Sequence, residues 1–386
     1  MLARLFGSRT VAAEAAAETA REAAAAEERF AVASQLKLTW WRFRRHRLAV
    51  VSGVVVMLFY LFAAFADFLA TMDPHDTEAR RTYAPPQSIH FFDDDWSLRP
   101  HVTVLRARRD PRTFRMVRDQ ATKVDLALFV EGYPYELFGL FPTNIHLVGL
   151  RNAQPGETLH LLGTDRLGRD LWSRLVVATR VSLTIGLVSV VISLFLGVLL
   201  GGVSAIYGGW IDTIVQRLIE IIRSMPTIPL WMGLAAALPN TWSVTQIYFA
   251  ITVIIALLAW TDLARVVRGK FLSLREEDFI MAAELSGASQ LRIIFRHMLP
   301  SFLSHIIAAT SLALPAMIIS ETSLSFLGLG LRPPAISWGI LLQDAQNIEA
   351  LALAPWLLAA AVPVIVIILA FNFLGDGLRD AADPYG

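Results

Sequence analysis

The chain has 386 residues, of which 55% are hydrophobic and 17% charged, and its mean hydropathy is +0.52. A composition this apolar excludes an ordinary soluble domain and points to a polytopic membrane protein. The net charge of +1 gives no electrostatic footprint for nucleic acid, and the lack of cysteine excludes disulfides, thiolate metal sites and cysteine nucleophiles.

In chain order, residues 1–35 read as a cytoplasmic tail rich in Ala and Glu, with no apolar core ahead of a cleavage site. A frayed helix or disordered segment is one reading of this tail, and a partner-binding helix is the other. A basic flank and the first span occupy 36–70. A membrane helix needs about 20 mainly apolar residues, and six stretches qualify: 48–70, 181–207, 219–239, 243–260, 299–320 and 355–374. The third contains Pro226 and Pro229, so a kinked or broken helix is expected there. Between the first two spans, 71–178 carries alternating runs such as HVTVLRA and KVDLALFVEG, which read as short strands. Turn signals at Asp110-Pro111, Gly132 and Pro134 separate those runs. The arginines of this segment (Arg106, Arg108, Arg109, Arg112, Arg115, Arg118) form a solvated face or a docking surface.

Charge orients the spans. Lys37, Arg42, Arg44, Arg45 and Arg47 precede the first span with no acid among them, which holds that end in the cytoplasm. Six crossings then return the C-terminus to the same side. Independently, the loop 261–298 must be cytoplasmic, and it carries Arg265, Arg268, Lys270, Arg275, Arg292 and Arg296. The segment 71–178 falls outside, and 179–386 forms a five-helix core.

Two polar blocks stand out. The first, LLGTDRLGRDLWSR, runs up to the second span. Its Gly163, Gly168 and paired charges suggest a tight turn entering a helix, with Thr164 or Asp165 as the cap. The second, FIMAAELSGASQLRIIFRHMLP at 279–300, puts Ala282, Ala283, Gly287 and Ala288 at helix-compatible spacing. They would give one face of little bulk, open to close approach. Gly287 ends the first helix by a left-handed cap or admits a close contact, and Pro300 suits the first turn of the fifth span. An amphipathic loop helix with incidental alanines is the plainer alternative. Intramembrane ionisable groups are few: Asp67 and Glu321 read as interfacial, and His305 as a packing histidine. No Walker A, GxSxG or HExxH motif is present.

The 279–300 block resembles the EAA loop of ABC-importer permeases through Ala282, Ala283, Gly287, Leu299 and Pro300. It departs from that pattern at Met281, where a glutamate leads, and at His297; Glu284 is a further contact candidate. The block before span two resembles the GTDxxGRDxxSR segment of dipeptide, oligopeptide and nickel importer permeases. Gly163, Thr164, Asp165, Gly168, Arg169, Asp170, Ser173 and Arg174 all match. YGGWID at 207–212, RSMPTIPL at 223–230, ETSLSFLGLG at 321–330, SWG at 337–339 and GDGLRDAADP at 375–384 follow in order, as in the C-type permease of peptide importers. The resemblance covers 36–70 and 160–386.

What it implies is the type I ABC importer permease fold; with the spans and the alternating runs of 71–178, the expectation is an all-α polytopic protein of six transmembrane helices with a small β-containing extracytoplasmic insert. The expected setting is the bacterial cytoplasmic (inner) membrane, with both termini cytoplasmic. The expected partners are the lipid bilayer, a second homologous permease, two cytoplasmic ATPases and an extracytoplasmic solute-binding protein. No cofactor belongs to this chain, because ATP and magnesium are bound by the ATPases. The resemblance also implies a non-catalytic subunit that moves peptides. Glutathione, opines, oligosaccharides or nickel complexes are alternative solutes, and an ion-coupled transporter, channel or scaffold is the reading from outside the class.

Overall fold

The computed structural model describes residues 35–93, 95–109, 116–152, 157–239 and 241–382. The tail expected at 1–34 and the Asp110-Pro111 turn lie outside the described residues. So do the side chains of the arginine cluster and of His305.

Helix α1 (Gln35–Arg45) carries the basic flank and meets α2 (Arg47–Ala64), the first span, where His46 Nδ1 accepts a hydrogen bond from Ala49 N at 3.2 Å. The apolar run to residue 70 is not one helix. It breaks at Phe65 and resumes for a single turn, α3 (Ala66–Leu69). A four-stranded antiparallel meander follows, built from β1 (Ile89–Phe92), β2 (Leu98–Arg109), β3 (Met116–Leu137) and β4 (Phe141–Leu150). Both alternating runs of the sequence lie in it, on β2 and β3. Gly132 and Pro134 do not end a strand as their residue types suggest. They sit inside β3, where the register with β4 shifts between Glu131 and Tyr135. A Cβ on Gly132 would lie 2.5 Å from the His146 ring, so this glycine provides room and not a turn. The His146 nitrogens lie 3.0 Å from the carbonyl oxygens of Asp67 and Tyr133, which ties the sheet to the end of the first span.

Helix α4 (Leu171–Tyr207) starts ten residues earlier than the hydropathy suggests, because Asp170 caps it. It packs along α7 (Val244–Leu274), whose N-terminus is held by a reciprocal Ser243–Gln246 capping box. Gly197 and Gly201, four apart, allow the backbones to close. A Cβ at Gly201 would lie 2.4 Å from the Ala264 carbonyl oxygen, the small-xxx-small geometry of membrane helix pairs. Between them the third apolar stretch is broken, into α5 (Gly209–Ser224) and α6 (Thr227–Ala236), where Pro226 follows an extended Met225. Helix α7 runs 14 residues past the expected span, to Leu274. The loop helix α8 (Asp278–Leu285) then leads through a π-helical turn (Ile293–Met298) into α9 (Leu303–Phe326). Short helices α10 (Trp338–Asp344) and α11 (Ile348–Leu353) precede α12 (Ala361–Ala382).

Among the described residues, five helices are long and apolar enough to cross a membrane, and α6 is a shorter apolar helix. The bundle has two distinct ends. At one, Phe43 and Ala49 pack on Ala381, and Ala205, Phe271 and Ile306 share a cluster. At the other, Trp172 Nε1 donates to Leu69 O at 3.0 Å and Trp356 Nε1 to Thr164 O at 3.0 Å.

Candidate functional site

The block before α4 folds into a buried polar junction. Gly163 and Gly168 have φ of +76° and +75°. A Cβ at Gly168 would lie 1.9 Å from the Glu78 carbonyl oxygen, so glycine is required on both counts. Thr164 Oγ1 donates to Arg81 O at 2.5 Å and accepts from Ala84 N at 2.7 Å. Asp165 accepts from Leu167 N, Arg169 N and Arg169 Nε at 2.8, 3.1 and 2.7 Å, and Arg174 Nε lies 3.5 Å away. These oxygens are taken up by the turn, so neither Thr164 nor Asp165 caps the helix. Asp170 does, accepting from Ser173 N and Ser173 Oγ at 2.7 and 2.6 Å. Ser173 Oγ in turn accepts from Thr71 N and Met72 N at 3.0 Å each. Asp344, on α10, pairs with Arg166 at 3.2 Å and Arg169 at 3.7 Å. Burial first, and then the nearby Asp165, pushes the Asp344 carboxyl up from its ordinary value. All eight singled-out residues therefore converge, and all eight are buried. They join the end of the first span, the turn at 78–84, α4 and α10.

Deeper in the bundle, Glu321 is fully buried. It accepts from Ser182 Oγ at 3.0 Å and Ser325 Oγ at 2.8 Å, and Ser182 Oγ accepts from Trp338 N at 3.2 Å. Ser325 lies one turn along α9 from Glu321 and Ser182 lies on α4, a pairing across helices that no hydropathy plot shows. Asp67 is half-buried and pairs with Arg180 at 2.5 Å.

A cavity of about 530 Å³ opens between α4, α5, α6, α7 and α9. Its walls are mostly apolar, with hydroxyls from Ser193, Thr227, Thr261, Thr310 and Ser320, and an Arg223–Asp262 ion pair. Trp231, whose indole N–H has no partner among the described residues, also lines it. No motif in the sequence marks these hydroxyls, which are spread over four helices.

At the far end of α7, α8 is pinned by Ile280 to a cluster containing Val267, Phe271, Ile293 and Met298. It ends in a Schellman motif. Gly287 has φ +77°, its N–H donates to Glu284 O at 2.9 Å, and Ala288 N donates to Ala283 O at 3.1 Å. The small residues do not form a single face. Ala283, Ala288 and Leu299 turn inward against the cluster, while Ala282, Glu284, Gly287 and Pro300 are exposed. Beside the latter stand Phe279, Met281 and Leu285, the last 90% exposed, which the sequence reading passed over. Apolar residues at 279, 281 and 285, off the face that Ile280 already supplies, were the available signal. At the same end, Asp212 on α5 accepts two 2.6 Å bonds from Arg268 on α7 and one of 2.5 Å from Ser204 on α4. These three helices are thereby locked at their ends.

Residues 193–385 match the family model of the binding-protein-dependent transport system inner membrane component, and 34–86 match the N-terminal TM domain of oligopeptide transport permease C. The oligopeptide transport system permease protein OppC of Escherichia coli (strain K12) is 40% identical over 236 residues, 61% of this chain and 76% of that protein. The protein of the same name from Bacillus subtilis (strain 168) is 35% identical over 237 residues, 61% and 75% of the two chains. A solved structure of the MetNI methionine ABC transporter in inward facing conformations aligns at TM-score 0.44 and 20% identity, over 54% of this chain and 96% of that one.

Proposed function

This chain belongs to the family of binding-protein-dependent transport system inner membrane components, and on that footing we propose that it forms half of a peptide pathway gated by ATPases docked at 279–300. It is an ABC-importer permease subunit, a multi-pass inner-membrane protein and a non-catalytic one. The observation that carries the coupling is α7. Its 31 residues, about 46 Å of unbroken helix, bear cavity residues Leu258, Thr261, Asp262 and Val266, then Phe271, which holds the docking element. A displacement of α8 by an ATPase reaches the cavity wall through one rigid rod, and the Asp212–Arg268 pair carries it into α5.

Peptide as solute follows the names of the relatives. A wall of hydroxyls and aliphatic groups suits backbone amides without selecting side chains. The full assembly is this chain, a second homologous permease closing the open flank of the cavity, two ATPases and a solute-binding protein. The α5–α6 pair makes the sixth, broken crossing. Both termini and α8 lie in the cytoplasm, supported by the contact of Phe43 and Ala49 with Ala381 and by the arginines at that end. The β-sheet then faces the opposite side.

Gly287→Asp tests the docking assignment. No atom lies within 4 Å of a Cβ built there, and Asp is among the residues that tolerate a left-handed backbone. The variant is expected to insert and fold normally while losing ATP-driven solute uptake. Wild-type uptake at normal expression would remove α8 from the coupling path. Co-purification of the tagged wild-type chain tests the assembly: two ATPases and a second permease are expected with it.

A further inference from the structure

The β-sheet lies between the two stretches matched by family models, at 34–86 and 193–385, and neither covers it. We propose that its β3–β4 hairpin is a lipid-binding element, whose tip Phe138-Gly139-Leu140-Phe141 enters the bilayer leaflet at the C-terminal end of α2.

Three observations converge on this. First, the tip carries no charged or hydrogen-bonding side chain, and Leu140 is 73% exposed, with Phe138 and Phe141 exposed beside it. Second, that apolar surface is continuous with the first span. The Phe138 ring stands 5.3 Å from Phe65, which ends α2, and the Phe129 ring 6.2 Å from Phe68. Helix α2 itself presents exposed Met57, Leu58 and Leu61 along its length, the side a membrane helix turns to lipid. Third, both contacting phenylalanines hold left-handed backbone, φ +56° at Phe129 and +57° at Phe138. Bulky residues rarely occupy that region, and they keep it where the surroundings require it. Here it turns two rings toward the end of the span. Tyr133 and Tyr135 lie farther up the same strand, with Tyr135 Oη donating to Ile145 O, as aromatic residues do at headgroup level.

Exposure alone does not produce this assignment. On the other hairpin, at the β1–β2 turn, Trp96 is 85% exposed. That turn is surrounded by the ion pairs of Asp93 with Arg99 and Lys123 and of Arg99 with Asp125, which belong in water. One turn thus sets its aromatic residues among ion pairs, while the other is apolar from Leu137 to Pro142, with exposed Glu136 at its base, and only the second adjoins a span. The inference is separate from the transport reading and does not depend on which side of the membrane the sheet faces.

The chain has no cysteine, so single nitroxide labels can be placed cleanly. Leu140→Cys and Phe141→Cys are labelled separately, with Leu61→Cys as the lipid reference and Trp96→Cys as the water reference. Each is studied in the assembled transporter, reconstituted in phosphatidylethanolamine–phosphatidylglycerol vesicles. The ratio of collision with oxygen to collision with a water-soluble nickel chelate is then measured. The lipid assignment expects the ratio at 140 and 141 to match that at 61 and to exceed that at 96 several-fold. A ratio equal to that at 96 overturns it. Labels shielded from both reagents also overturn it, and place a protein subunit on the tip instead. A variant counts only if it keeps the wild-type thermal transition, and the second label position serves if the first fails that test.

Discussion

The two ends of the bundle solve opposite problems with similar residue types. At the end near α4's cap, charges are buried and answered within the chain: Asp165 by Arg169 and Arg174, Asp170 by His160 and Ser173, Asp344 by Arg166 and Arg169. At the α8 end, charges are exposed and apolar side chains stand without a cover: Phe279, Met281, Leu285, Leu291 and Phe295. Glycine serves both. Gly168 is fixed by a carbonyl that a Cβ would strike, whereas Gly287 has open space around it and is fixed only by its φ. On the proposed reading, the first is a part that holds its shape in every state and the second a part finished by an ATPase. Mutations at the first are expected to act on stability, and mutations at the second on association.

The sharpest way to break that contrast is at Asp165. Asp165→Ala leaves two buried guanidinium groups short of a partner, and breaking such an arrangement costs about 3–5 kcal/mol. Thermal unfolding in detergent is expected to fall accordingly, with ATPase co-purification preserved in whatever fraction folds. A loss of ATPase binding at unchanged stability would put this junction on the wrong side of the comparison.

A smaller effect concerns pH. The Asp344 carboxyl is raised in the folded chain by burial and by Asp165, so the folded state holds this proton more tightly than the unfolded one. Its contribution to stability is full below the ordinary carboxylate range and is lost as pH rises through the raised value. Wild type should therefore gain on Asp344→Asn as pH falls across that window. A difference that stays flat with pH would mean that Arg166 and Arg169 already offset the burial.

The smallest stability effect is expected at Leu285. Leu285→Ser changes a side chain that is 90% exposed, and such substitutions stay within about 0.5 kcal/mol. Recovery of ATPases with the tagged chain should nevertheless drop. Full recovery would show that the exposed apolar face is not the contact.

Much of this architecture is legible from one sequence because hydropathy and local spacing are short-range signals. The apolar runs beginning near Leu48, Val181 and Ser243 each became a helix, and the turn within GTDRLGRDLWSR was legible because Asp165 with Arg169 and Asp170 with Ser173 bond within a few residues. What was not legible depends on distance along the chain. Asp212 and Arg268 are 56 residues apart and Ser182 and Glu321 are 139 apart, so the partners that bury these charges cannot be read from local sequence. Helix ends were misjudged where polar residues continue a helix, as Arg268 and Lys270 do in α7. Gly132 was misread because a glycine that makes room for a ring has the same letter as one that makes a turn.

The break at Met225-Pro226 has a consequence for water. A helix that stops at Ser224 leaves its last turn of carbonyl groups without intrahelical donors. Ser224 Oγ answers the one at Ile221, and Leu230 N reaches back to Pro226 O, but irregular backbone at membrane depth is tolerated only in contact with protein or an aqueous space. Ile222, Arg223, Thr227 and Leu230 border the cavity. With α5–α6 crossing the membrane as proposed, the cavity is expected to hold water against those carbonyls, and a cargo that displaces this water is expected to bring amide donors of its own.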